Sequence, residues 1–94
     1  MASPTKAEIR TLLLTALGEH IGMALGQALE IQDEAKIVEA FDVDSLDIME
    51  VVLTMEEKLG VEVRDDQFAR LDTVAGAVEL LAELVAAEAT RGAA

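Results

Sequence analysis

A chain of 94 residues, 52% of them hydrophobic, is sized for one small domain around one core and is too apolar for general disorder. With no Cys and a single His, it excludes a disulfide framework, a thiolate nucleophile and any Cys-based or multi-His metal centre. Nineteen acids against seven bases set the net charge at −12, which argues against nucleic-acid binding and for partners with basic surfaces. The first six residues, Met1 to Lys6, lack a basic start followed by an apolar stretch, and Ala2 rules out the myristoylation signal. The most apolar run, Ile9 to Ile31, is broken by Arg10, Glu19, His20 and Glu30. No targeting segment and no membrane span are expected, and a cytoplasmic location is the default.

Thr5 and Glu8 form a capping-box pattern that starts a helix over roughly 6–21, with Ile9, Leu13, Ala16 and Leu17 at helical spacing and Gly22 as its stop. Gly18, Gly22 and Gly26 recur every four residues. They are read as one interior, one capping and one loop glycine rather than as a close-packing face, since an interior glycine costs about 1 kcal/mol. Residues 23–43 show no clean period. They read as a long loop, with room for a short helical turn, pinned to the core through Leu25, Leu29, Ile31, Ile37, Val38 and Phe41.

The clearest helix covers 45–59. Asp44 is the N-cap, Asp47 sits in the positive first turn, and Gly60 ends it. Ile48, Val52, Met55 and Leu59 make its core stripe. Leu46, Met49 and Leu53 fall outside that stripe, among Asp47, Glu50, Glu56 and Glu57, and so form an apolar patch rimmed by acids. Val61 to Val63 alternate like a strand but have no partner and read as an extended connector. A short helix is expected over 65–69. Thr73 caps a last helix with Val74, Ala77, Val78, Leu81 and Val85 on one face, and the Ala-rich end should fray. The sum is an all-α bundle of three main helices and one short one, with a long loop between the first two. It forms a single domain over 1–94, with its core at about 5–88 and a frayed tail over 89–94. Charge is uneven along it: residues 41–72 hold ten acids against three bases.

The segment Asp44-Ser45-Leu46-Asp47, at the start of the acidic helix, resembles the acyl carrier protein family. The resemblance runs without a gap to Val74 through Glu50, the Glu56-Glu57 pair, Val61-Glu62-Val63, Asp65-Asp66 and Thr73, and Leu17 to Gly22 are similar to the end of that family's first helix. Departures are Phe41-Asp42-Val43 where Leu-Gly-x is usual, Arg64 where Pro is common, and Lys58 in an otherwise acidic helix end. Asp42 replaces a glycine and should adopt a positive φ, which Asp tolerates better than most residues.

The resemblance implies a carrier rather than an enzyme, with no catalytic residue and no resident metal ligand. It makes Ser45 the attachment point of 4′-phosphopantetheine donated by coenzyme A, with Asp44 and Leu46 beside it. The arm's thiol then carries acyl groups as thioesters for fatty-acid, polyketide or related secondary-metabolite synthesis. Asp44 and Asp47 would help hold the Mg²⁺ that the modifying enzyme needs. The expected partners are a phosphopantetheinyl transferase and acyl-loading and acyl-processing enzymes. Their basic patches would meet Leu46, Asp47, Met49, Glu50, Leu53, Glu56 and Glu57 on a monomeric carrier. Val52 and Met55 would line an interior that shelters the acyl chain.

Blander readings exist for the same residues. Ser and Asp at a helix start are ordinary caps, acidic runs are usually solvated faces, and His20 reads as a surface helix residue. Asp42-Val43-Asp44 starts like a calcium-binding loop, but Leu46, Asp47 and Leu53 stand where a ligand, a glycine and a glutamate are required, so that reading fails. The alternatives to an acyl carrier are a peptidyl carrier loading an amino acid and an unmodified interaction module of the same fold.

Overall fold

The computed structural model describes residues 3–92. Helix α1 spans Lys6–Ile21, α2 Leu25–Leu29, α3 Ile37–Phe41, α4 Ser45–Leu59 and α5 Val74–Gly92, with a 3-10 helix over Asp65–Leu71 before α5. The regular structure among the described residues is helical, apart from a single antiparallel bridge between Lys36 and Thr73. The bundle is therefore all-α, with α1, α4 and α5 as its main helices.

Helix α1 begins as its sequence requires. Thr5 Oγ1 accepts from Glu8 N at 3.1 Å and Glu8 Oε1 accepts from Thr5 N at 2.8 Å. Gly22 closes it in the left-handed region at φ 75°. Ile9, Leu13, Leu14 and Leu17 bury their side chains, and α1 packs against α2, α4 and α5. Gly18 corrects the simple reading of the glycine repeat. A Cβ there would lie 2.9 Å from the Cβ of Ala28, so α2 sits on α1 at a distance only glycine allows. Gly26, read as a loop residue, belongs to α2.

The expected long loop contains two five-residue helices, α2 and α3. Each is too short for a helical period to show in the sequence. Ala28, Ile37 and Phe41 are buried there, Leu29 and Ile31 are half-buried, and Leu25 and Val38 are exposed rather than pinned inward. Burial of Phe41 alone contributes roughly 1.5–3 kcal/mol to holding α3 down. Backbone bonds fasten the segment to the start of α5: Ile37 N donates to Asp72 O at 2.9 Å, Val74 N to Ala35 O at 3.1 Å and Ala75 N to Asp33 O at 2.8 Å. Arg10 adds a clasp from α1, donating to Asp33 Oδ1 at 2.7 Å and to Ile31 O at 2.6 Å.

Helix α4 buries Val51, Val52 and Met55, while Ile48 and Leu59 are half-buried at the edges of that stripe. Val61 and Val63 are buried on the extended connector. Thr73 Oγ1 accepts from Gly76 N at 3.0 Å and caps α5, whose buried face is Val74, Ala77, Val78, Leu80, Leu81 and Val85. The helix runs through Gly92, and residues 93 and 94 of the expected frayed tail lie outside the described ones.

Candidate functional site

The site is built at the start of α4. Phe41 is buried at the end of α3, and Asp42 follows with φ 52° and ψ 49°, the one non-glycine residue with positive φ among those described. This left-handed turn, with Val43 buried next, reverses the chain and delivers Asp44 to the head of α4. Asp44 Oδ1 accepts from Asp47 N at 2.9 Å, and Asp47 Oδ2 accepts from Asp44 N at 3.1 Å. Two acids thus make a reciprocal cap that satisfies two of the helix's unpaired N–H groups.

Ser45 is the first residue inside α4 and is exposed. Among the described residues its hydroxyl has no hydrogen-bonded base, and the single imidazole is engaged elsewhere: His20 Nε2 lies 2.8 Å from Asp47 Oδ1. A serine hydroxyl without a base is a weak nucleophile, so Ser45 is suited to accept a group delivered by another protein rather than to attack alone. The exposed helix N-terminus offers backbone N–H groups and a positive dipole end to a phosphate on that oxygen, partly offset by the two capping carboxylates.

Beside Ser45 runs a shallow groove of about 310 Å³ between α4 and the 3-10 helix, lined mainly by Val38, Ile48, Met49, Phe68 and Leu71. The exposed Ser45 hydroxyl thus opens onto an apolar groove. Val52 and Met55, expected to line an interior shelter, are buried in the core between the helices and do not border this surface groove.

The remaining expected residues divide into two groups. Leu46, Met49 and Leu53 are 64%, 52% and 60% exposed, one stripe along α4 at spacings of three and four. Glu50 and Glu57 are exposed near that stripe. Glu56 is half-buried and serves the fold, because its Oε2 accepts from Val63 N at 2.7 Å and holds the connector against α4. Asp47 is likewise occupied by its cap and by His20. That hydrogen bond, and then the Asp44 backbone N–H, hold its carboxyl below the usual range.

Sequence reasoning missed two features. His20 is not a bystander: it joins α1 to α4 through Asp47, with Glu50 Oε2 3.5 Å away. Val38 and Phe68 are groove walls; the sequence marks Phe68 only as an aromatic residue in a polar run and offers Val38 only as a core anchor. No helix among the described residues is long and apolar enough to cross a membrane.

Comparison with known proteins gives concordant results. The family model for the phosphopantetheine attachment site matches residues 8–81. An acyl carrier protein of Acidothermus cellulolyticus is 41% identical over 71 residues, covering 74% of this chain and 84% of that protein. One from Saccharopolyspora erythraea is 35% identical over 89 residues, covering 95% and 90%. In fold, the chain is similar to a solution structure from Anaplasma phagocytophilum described as a candidate acyl carrier protein. The TM-score is 0.72 at 20% identity, over 88% of this chain and 94% of that one. With the family's attachment domain spanning most of the sequence on a matching helical bundle, this chain belongs to the acyl carrier protein family.

Proposed function

We propose that Ser45 is the attachment point of 4′-phosphopantetheine and that the protein shuttles acyl intermediates of fatty-acid, polyketide or related secondary-metabolite synthesis without catalysing their chemistry. The observation that carries this reading is the setting of Ser45: exposed, first in α4, without a base of its own, and beside an apolar groove. When bound, the arm supplies a terminal thiol, which a chain without Cys lacks. The chain's own residues supply the rest. The turn at Asp42 and the Asp44–Asp47 cap orient the hydroxyl outward, and Val38, Met49 and Phe68 offer apolar cover.

The modifying transferase brings the base that removes the Ser45 proton. Asp44, exposed and using one carboxylate oxygen in the cap, is the residue best placed to share that enzyme's Mg²⁺. Acyl-loading and acyl-processing enzymes with basic patches dock on Leu46, Met49 and Leu53, steered by Glu50 and Glu57. The carrier works as a monomer in the cytoplasm.

Incubation with coenzyme A, Mg²⁺ and a permissive phosphopantetheinyl transferase should add the mass of one phosphopantetheinyl group. The Ser45→Ala variant should gain none. Equal labelling of that variant, or no labelling of the native chain, overturns the assignment.

A further inference from the structure

One cluster of metal-ligating side chains joins α1 to α4. His20 on α1, and Asp47 and Glu50 on α4, bring one ligand atom each to a common point, all within 4.8 Å of one another. We propose that His20 Nε2, Asp47 Oδ1 and Glu50 Oε2 form a binding site for one divalent transition-metal ion of the Zn²⁺ class, clamping the end of α1 to the start of α4.

The geometry is close to what such an ion needs. Metal–nitrogen and metal–oxygen bonds of about 2.0–2.2 Å at tetrahedral angles put neighbouring ligand atoms roughly 3.4 Å apart. His20 Nε2 stands 3.5 Å from Glu50 Oε2 and 2.8 Å from Asp47 Oδ1. The first spacing already matches. The second is that of a hydrogen bond and opens by about half an ångström when an ion takes the place of the shared proton. Asp47 and Glu50 lie three residues apart on one face of a continuous helix, so their spacing is set by α4 itself.

The site also has an outer support. Asp47 Oδ2 is tied to the Asp44 backbone N–H at 3.1 Å, which fixes the carboxylate and aims Oδ1 at the imidazole. Side-chain exposures of 25%, 36% and 55% for His20, Asp47 and Glu50 leave an approach for the ion and room for water as a fourth ligand. A neutral imidazole with two carboxylates balances a doubly charged ion.

The donor set chooses the class of metal. Imidazole suits Zn²⁺, Cu²⁺, Ni²⁺ and Co²⁺, whereas Mg²⁺ and Ca²⁺ prefer all-oxygen shells of six or more ligands. Occupancy would lock the helices whose junction presents Ser45. It would also neutralise Glu50 on the docking face, a consequence that rests on the docking reading above.

The test uses the full chain before modification, so that no arm thiol competes for metal. Because the chain has a single His, its ring signals in an NMR titration report on one site directly. Stoichiometric ZnCl₂ should shift or broaden the His20 ring resonances, calorimetry should give one ion per chain, and the melting temperature should rise. His20→Gln should weaken Zn²⁺ binding about 100-fold and Glu50→Gln about tenfold, while Glu57→Gln should stay within about twofold. MgCl₂ should not distinguish the native chain from His20→Gln. The proposal is overturned if Zn²⁺ leaves the His20 ring signals of the native chain unmoved, or if His20→Gln binds Zn²⁺ as the native chain does. The ring measurement needs no variant, so it decides the matter even if a substitution disturbs folding.

Discussion

Asp42 shows how much one backbone angle contributes to the site. With φ 52° it occupies the left-handed region, which costs an ordinary L-residue about 1–2 kcal/mol, though Asp pays less than most. Its neighbours make the turn necessary: Phe41 and Val43 are both buried, so the chain must reverse between them to release Asp44 and Ser45 outward. Asp42→Val should destabilise the domain by about 1–2 kcal/mol in urea unfolding, because a β-branched residue fits that region worst. Asp42→Gly should stay within about 1 kcal/mol of the native chain, since relief of strain is offset by the greater freedom of the unfolded chain. The Asp44 cap and the exposure of Leu46, Met49 and Leu53 were legible in the sequence because each follows from local geometry or from the period of a single helix, whereas the turn at Asp42 was legible only through the family resemblance, whose usual glycine marks a positive-φ position. The roles of His20 and Glu56 were not legible. His20 meets an acid 27 positions away, and Glu56 bends back to a backbone N–H seven positions on. Both contacts depend on how finished elements abut, which no local pattern encodes.

The same division holds among the elements. Helices α1, α4 and α5 could be read because they are long enough to display caps and an apolar face. Helices α2 and α3 could not, since five residues offer barely more than one turn, and their order comes from Ala28, Phe41 and the backbone bonds to residues 72–75. The 3-10 helix is held in place by close contact. A Cβ on Gly76 would come within 2.6 Å of the Arg70 carbonyl oxygen, so the first turn of α5 lies directly on the preceding helix end. A bidentate pair reinforces this junction, with Arg70 Nη1 donating to Glu83 Oε1 at 2.9 Å and Nη2 to Oε2. The guanidinium hydrogen bond, and then its charge, hold the Glu83 carboxyl below its ordinary value of 4.5. The folded chain therefore binds this proton less readily than the unfolded chain, and acidification favours unfolding. The pair's contribution is whole above that ordinary value and is lost as pH falls through the depressed one. Both side chains are substantially exposed, so the effect is small. In urea unfolding, Glu83→Gln should be less stable than the native chain at about pH 7, and the difference should shrink progressively as pH falls below the ordinary carboxylate range.

At the scale of the whole molecule, the −12 net charge acts in two opposed ways. The bundle measures 41 × 27 × 21 Å, so at about 0.01 M salt, where screening extends over roughly 30 Å, nearly every acid feels every other. The folded state is then strained by its own charge. At about 0.15 M the screening distance falls to roughly 8 Å, and repulsion is confined to near neighbours. Raising NaCl across that interval should therefore raise the melting temperature. On the proposed docking face, the same screening should weaken attraction between the acids of α4 and a basic partner surface, so the rate constant kcat/KM for modification by a transferase should fall. Opposite responses to one variable separate self-repulsion from recognition: a general effect of salt on folding would move both in the same direction. Glu57→Lys localises the second effect, because Glu57 is exposed and outside both the Asp44–Asp47 cap and the His20 cluster. At low salt the variant should be modified several-fold more slowly than the native chain, and the difference should shrink as salt rises, with the fold intact by circular dichroism. A rate indifferent to both salt and this reversal would place recognition on another face of the bundle.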